Sequence, residues 1–207
     1  MTPIYHITHM NNLPGIIAAG GLRCDGLRAQ NCGGIVGIAH QHIKDRRAKR
    51  KVPCAAQGTL SDYVPFYFAP RSPMLYTIHQ GNVNGYAGGQ RPIVHLVSSV
   101  EQAIGMGNPW CFTDGHAVMA YSRFFCHLDN LKEVDWPLMK SRLWYDTDSD
   151  PDRTCRRQAE FLAHQSFPWT AMAEIGVVDD GIRLQVETAL AGSDHKPPVV
   201  VHEDWYY

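Results

Sequence analysis

Disulfide chemistry is the first thing this chain lacks the spacing for. Its six cysteines (Cys24, Cys32, Cys54, Cys111, Cys126 and Cys155) include no C-x-x-C pair and follow no regular interval. In a 207-residue chain, that pattern belongs to buried or incidental thiols of a reducing compartment. Long apolar runs are also missing, since none approaches the ~18 residues of a membrane span. The opening MTPIYHITHM has neither a basic nor an apolar export region, so a cytoplasmic location without membrane attachment is expected. The glycine pairs in AAGGL and YAGG lack the strand-loop-helix setting of a P-loop or a Rossmann fingerprint. No G-x-S-x-G elbow and no cysteine-nucleophile context is present, which excludes the common hydrolase and kinase patterns. Eleven histidines invite a metal reading, but His6 and His9 on a strand would face opposite ways, and His40 and His42 on a helix would diverge. No metal is therefore expected.

An excess of charge is absent overall: 19 Lys and Arg oppose 20 Asp and Glu. One local excess stands out, KDRRAKRK at residues 44–51, with six basic residues of eight. A basic feature of this kind on an acidic body can steer a phosphate ligand. With no repeat, low-complexity segment or Gly/Ser linker, one domain over residues 1–207 is expected.

Along the chain, PIYHITH alternates as a strand. NNLPGIIAAGGL has Asn caps, Pro14 in a first turn, apolar residues at helical spacing and a Gly20–Gly21 stop. Residues 36–50 and HAVMAYSRFFCHLDNL have mainly helical composition, and DTDSDPDR is turn-like. YVPFYFAP and PIVHLVSS are strand-like, and the end of the chain reads strand (AEIGVV), helix (181–190), strand (in PPVVVHEDWYY). Strands do not alternate regularly with long helices, so the class is α+β and not doubly wound.

Three features can carry chemistry. His6 and Thr8 lie two apart and share one face of the first strand. A satisfied strand histidine is the plainer reading, but two polar groups beside a glycine-rich helix weaken it. In the basic run, Val36, His40, Ile43 and Arg47 form one helical stripe, which turns Arg47 toward the apolar side and leaves most of the other charges on a solvated face. An inward arginine needs an anionic partner. In RRQAEFLAH, an extended chain sets Gln158 and Glu160 on one side with Phe161 toward the core; a helix with a surface glutamate fits the spacing as well.

YHITHMNNLPGIIAAGGL, DYVPFYFAPRSPMLY, FTDGHAVMAYSRFF and QAEFLAHQSFPW, in that order and ending in WYY, resemble the DarT family of bacterial DNA ADP-ribosyltransferase toxins over practically the whole chain. The resemblance implies an ADP-ribosyltransferase fold: two small packed sheets with flanking helices, holding NAD+ between them. It implies His6, Ile7, Thr8, Gly15 and Arg23 as NAD+ contacts, and an NAD-binding element at about residues 34–53. Arg47 falls at the catalytic arginine, with Arg46 as the alternative if the register shifts by one, and Glu160 at the catalytic glutamate. An acceptor-binding loop at about residues 116–160 would grip single-stranded DNA, with His116, Arg142, Trp144, Tyr145 and Gln158 as contacts. The implied reaction modifies a base, most typically a ring nitrogen of thymine. The implied partner is a macrodomain antitoxin of the DarG type that reverses the modification, and a monomer is expected. Activity on RNA, protein or water, and a non-catalytic nucleic-acid-binding module, are the rival readings of the same residues.

Overall fold

The computed structural model describes residues 1–28 and 35–207; Cys32 and Gly34, the first residue of the expected NAD-binding element, lie outside the described residues. The chain opens with β1 (Pro3–His9), α1 (Leu13–Ala18), β2 (Gly21–Arg23), α2 (Asp25–Arg28), α3 (Gln41–Lys49) and β3 (Tyr63–Tyr67). Next come α4 (Pro73–His79), β4 (Ile93–Ser99), α5 (Val100–Gly105), β5 (Trp110–His116) and β6 (Phe124–Phe125). The rest comprises α6 (Trp136–Lys140), α7 (Arg153–Arg156), β7 (Ala159–His164), β8 (Ser166–Pro168), β9 (Glu174–Val177), α8 (Asp180–Ala189) and β10 (Val199–Val201). Among the described residues no helix is long and apolar enough to cross a membrane.

Strand order is β10-β9-β4-β1-β3-β7-β5-β6, with β2 and β8 forming a separate ribbon. The long sheet is two four-stranded halves. β1 pairs with β4 over its full length, from Pro3↔Ser99 to His9↔Ile93, yet meets β3 only at Tyr5↔Tyr67. β3 in turn pairs fully with β7, from Tyr63↔His164 to Tyr67↔Glu160. Past the Tyr5–Tyr67 pair the halves part and a cleft opens between them. Pro65 on β3 has no N–H for a ladder, and its carbonyl instead accepts a hydrogen bond from His6 Nδ1 at 2.8 Å.

Apolar alternation supplies the core: Ile4, Phe66, Phe112, Phe161 and Phe167 are fully buried, and Phe66 meets Phe167 at 4.7 Å between ring centroids. The ribbon can pack this closely because Gly21, at φ +141°, leaves no side chain; a Cβ there would lie 2.2 Å from the Phe167 carbonyl oxygen. Pro14 starts α1 and Gly20, at φ +76°, ends it, as the sequence suggests.

Two expectations are corrected. Residues 36–50 are not one helix, for α3 begins at Gln41. Val36 lies outside any regular element and is pinned by Asn12, whose Oδ1 accepts from Val36 N at 2.9 Å and whose Nδ2 donates to Val36 O at 3.0 Å. The stripe that turns Arg47 inward is thus carried by Ile43 and Arg47 alone. HAVMAYSRFFCHLDNL holds no α-helix, only the end of β5, β6 and a 3-10 stretch at Leu128–Glu133. The carbonyls a helix would use are taken by arginines of the α3 region: Arg46 donates to Val118 O (3.4 Å), and Arg50 to Met119 O (3.2 Å) and Ala120 O (3.4 Å).

His95, fully buried on β4, contacts the Pro70 carbonyl through Nε2 at 3.0 Å. Burial outweighs that bond and lowers its pKa to about 4. The folded chain therefore resists taking a proton that the unfolded chain accepts near pH 6.5. Stability from this site is complete above about pH 6.5 and declines as pH falls toward 4, by about 3 kcal/mol at full effect. Urea melts across pH 7.5–4.5 check this: His95→Gln should lose less stability on acidification than the wild type. Equal acid losses in the two proteins would remove His95 as the cause.

Candidate active site

The cleft between the sheet halves has a volume of about 160 Å³. β1 supplies His6, Ile7 and Thr8 to its lining. Opposite them stand Arg47 from α3, His116 from the end of β5 and Glu160 from β7. Arg23 lines the same cleft and also borders a second groove of about 340 Å³ beside the β2–β8 ribbon.

The centre of the cleft is an ion pair. Arg47 Nη1 donates to Glu160 Oε2 at 2.7 Å, and the other carboxylate oxygen accepts from Ala117 N at 3.1 Å. Arg47 is 9% exposed and Glu160 3%. Burial opposes the charge on Arg47, but the carboxylate's attraction and hydrogen bond more than offset it, so the guanidinium is held above its ordinary value. Glu160 is in turn fixed at its backbone, where its N–H donates to Thr113 Oγ1 at 3.2 Å. In RRQAEFLAH the strand begins at Ala159, after the end of α7 and a turn at Arg157–Gln158; along it Phe161 faces the core and Glu160 the cleft.

Arg46 lies on the exposed side of α3 and reaches the Val118 carbonyl, so the geometry brings Arg47 and not Arg46 to the carboxylate. His6 is neutral, its pKa lowered to about 4 by burial despite the bond to the Pro65 carbonyl. A carbonyl can only accept, so Nδ1 carries the proton and Nε2 keeps a free lone pair. Burial also lowers the His116 pKa, with the Glu160 charge acting against it.

Other expected contacts lie outside the lining of the cleft. Gly15 is exposed on α1, outside the lining of the cleft. From that segment it is Asn12 that reaches the cleft, donating to Thr8 Oγ1 at 3.1 Å while holding Val36. Gln158 turns away and donates to the Thr154 carbonyl at 3.0 Å. Arg142 and Tyr145 are exposed outside the lining. Trp144 packs edge-on against Tyr76 at 5.6 Å and donates from Nε1 to Tyr207 Oη at 2.7 Å.

Asn12 and Tyr67 line the cleft without standing out from the sequence. Asn12 reads as a helix cap, and nothing in its spacing reveals the bond to Val36. Tyr67 is paired with both Tyr5 and Glu160, which only strand register reveals; burial and the Glu160 charge raise its pKa, so its hydroxyl stays a donor. Among the described residues no three His, Cys, Asp or Glu side chains gather as metal ligands.

The split sheet with a buried Arg–Glu pair in its cleft fits the ADP-ribosyltransferase class that the sequence resembles. Residues 5–207 match the family model "ssDNA thymidine ADP-ribosyltransferase, DarT". The chain is 46% identical over its full length to a DNA ADP-ribosyl transferase of Thermus aquaticus, covering 89% of that protein. Its structure is similar to that of Thermus sp. 2.9 DarT in complex with ADP-ribosylated ssDNA, with TM-score 0.93, 42% identity and coverage of 100% of this chain and 96% of the other. The NAD+ complex of that DarT matches with TM-score 0.87 at 40% identity, covering 100% and 98% of the two chains. The chain belongs to the DarT family, and it is an NAD+-dependent DNA ADP-ribosyltransferase.

The Arg47–Glu160 pair makes a stability prediction. Removing one partner strands a buried charge at a cost of roughly 3 kcal/mol or more. Arg47→Met should lower unfolding free energy by about that amount, and Arg47→Met/Glu160→Gln should cost clearly less than the two single changes combined. Urea unfolding of the three variants measures this, and strict additivity would mean the pair is not energetically coupled.

Proposed function

We propose that this chain is the toxin of a toxin–antitoxin pair and that the Arg47–Glu160 cleft performs the transfer of ADP-ribose from NAD+ to a thymine ring nitrogen in single-stranded DNA. The single observation that carries this reading is the buried pair itself, a carboxylate with one oxygen on Arg47 and the other on a backbone N–H, facing a cleft lined by polar groups of β1. In this reading the whole chain is one catalytic domain, with an NAD-binding element at about 34–53 and an acceptor-binding loop at about 116–160. It works as a monomer in the bacterial cytoplasm, opposed by a macrodomain antitoxin.

Breaking the bond between nicotinamide and ribose develops positive charge on the sugar, as in glycoside hydrolysis. Glu160, fixed at both oxygens, opposes that charge where it forms and can bond the ribose hydroxyl. His6 Nε2 and Thr8 Oγ1 hold the donor, and Asn12 fixes Thr8 in turn. The glycosidic C–N bond to nicotinamide breaks, a C–N bond to the thymine nitrogen forms, and the nitrogen's proton passes to Glu160. Arg47 supplies a fixed cation for the donor's pyrophosphate or for the deprotonated base. A guanidinium is too weak an acid to act as the base itself. His116, held neutral, faces the same cleft and serves as an acceptor contact. Arg142, Trp144 and Tyr145 serve as outer contacts to the strand by charge and stacking. An unpaired base suits this site because a duplex would demand flipping.

Labelling with NAD+ and thymine-containing single strands tests the assignment. Glu160→Gln and Arg47→Ala should each reduce transfer by at least a hundredfold, with strand binding retained for Glu160→Gln. Arg46→Ala should retain most activity. Transfer that survives Glu160→Gln, or that depends on Arg46 instead of Arg47, would refute these roles.

A further inference from the structure

Arg157 is 3% exposed, and among the described residues no carboxylate pairs with it. Its guanidinium is bound wholly by main-chain carbonyls. Nε and Nη2 both donate to Arg71 O at 3.1 Å. Nη1 donates to Met139 O at 2.9 Å, to Ser141 O at 3.0 Å and to Leu138 O. Leu138 and Met139 stand in the last turn of α6 and Ser141 is its C-cap; the Leu138 carbonyl also accepts from Ser141 N at 3.1 Å, whereas the helix itself offers the Met139 carbonyl no partner. Burial lowers the pKa of Arg157 to about 10, which still leaves it a cation at neutral pH.

These carbonyls belong to segments that must meet for the reaction. Arg157 precedes Glu160 by three residues. The α6 end leads directly into Arg142, Trp144 and Tyr145. Arg71 sits in the turn after β3, with its guanidinium over the Tyr207 ring at 4.1 Å, and Tyr207 Oη accepts from Trp144. A buried cation without a counter-ion is costly to desolvate, and truncation would leave several carbonyls unmet. The five-donor fork of arginine can hold all of them, whereas a lysine ammonium cannot reproduce that plane.

We propose that Arg157 is a positioning residue, which sets the acceptor-binding segment after α6 in register with Glu160 by clamping the carbonyls of Leu138, Met139, Ser141 and Arg71. The inference rests on the proposed roles of Glu160 and of the loop at 116–160. It assigns Arg157 to DNA placement and not to NAD+ binding, because none of its bonds reaches a residue that lines the cleft.

Steady-state transfer to a thymine-containing oligonucleotide and NAD+ titration of the full chain provide the test. Arg157→Met should raise the oligonucleotide KM about tenfold while the NAD+ Kd stays within about twofold, and Arg157→Lys should recover part of the loss. An unchanged oligonucleotide KM, or oligonucleotide and NAD+ affinities falling in step, would overturn the proposal. Should Arg157→Met not fold, Arg157→Lys alone decides, by the same contrast between a raised oligonucleotide KM and an unmoved NAD+ Kd. Glu160→Gln run alongside separates the two levels. If it keeps kcat, the site reading is at fault; if it loses kcat and the Arg157 variants show no KM split, only the clamp is.

Discussion

Taking a guanidinium and a carboxylate out of water together is costly, and the cost is recovered only when geometry and further hydrogen bonds are close to ideal. Arg47 and Glu160 meet that condition, and much of the surrounding structure follows from it. Glu160 needs a strand on which its neighbour Phe161 is anchored in the core. It needs a second donor, which Ala117 N provides where the chain leaves β5. Arg47 needs α3 held against the turn that leads into β3, and the returning chain supplies this: Leu60 N donates to Arg50 O at 3.0 Å, and Arg47 Nη2 donates to Leu60 O at 3.5 Å. The ion pair is thus the point at which helix, sheet and loop geometry must agree.

That agreement would have no functional value if the sheet closed over it. The break between β1 and β3 keeps it open. A fully paired ladder there would bury His6, Ile7 and Thr8 against Val64 and Pro65. Pro65 removes one donor from the ladder, and the side chain of His6 takes the carbonyl the ladder leaves free. The same bond fixes the histidine tautomer and directs its other nitrogen outward. One local substitution of a side-chain bond for a backbone bond both splits the sheet and prepares a wall of the cleft.

How much of this the sequence reveals depends on the range of the interaction. β1, α1 and its Gly20 stop, β3 and β4 are legible because each rests on local periodicity and turn residues. Arg47 is legible through its spacing from Ile43. Its partner is not, because the two are 113 residues apart and only the fold brings them together. The family resemblance locates Glu160 where periodicity leaves strand and helix open. The misread segments share one cause. Around Val36 and between Val118 and Ala120, side chains from distant elements take over main-chain groups that a helix would use, and local composition does not record such competition. Gly15 and Asn12 show the same limit on a smaller scale: the motif places a helix beside the cleft, but only the packed structure tells which of its residues enters.

The basic run KDRRAKRK is the sharpest case. Its composition suggests a solvated cationic face with one inward residue, yet the structure divides it more finely. Arg47 meets Glu160 and Lys44 lines the cleft. Arg46 and Arg50 bind carbonyls of the β5–β6 connection, and Arg50 also lies over the Phe124 ring at 5.5 Å. Lys49 and Lys51 are left as plain exposed charges. The arginines hold main chain or carboxylate and the lysines face solvent or the cleft, as expected from a planar fork with five donors against a strongly hydrated point charge. Arg157 repeats the pattern at the carbonyls of Arg71, Leu138, Met139 and Ser141. Arg46 and Arg50 of the α3 region, and Arg157 against the end of α6, therefore brace irregular chain that has too few backbone partners of its own. Glu160 itself is held by the β3–β7–β5 ladders, and side chains fix the loops that border it where ladders are absent.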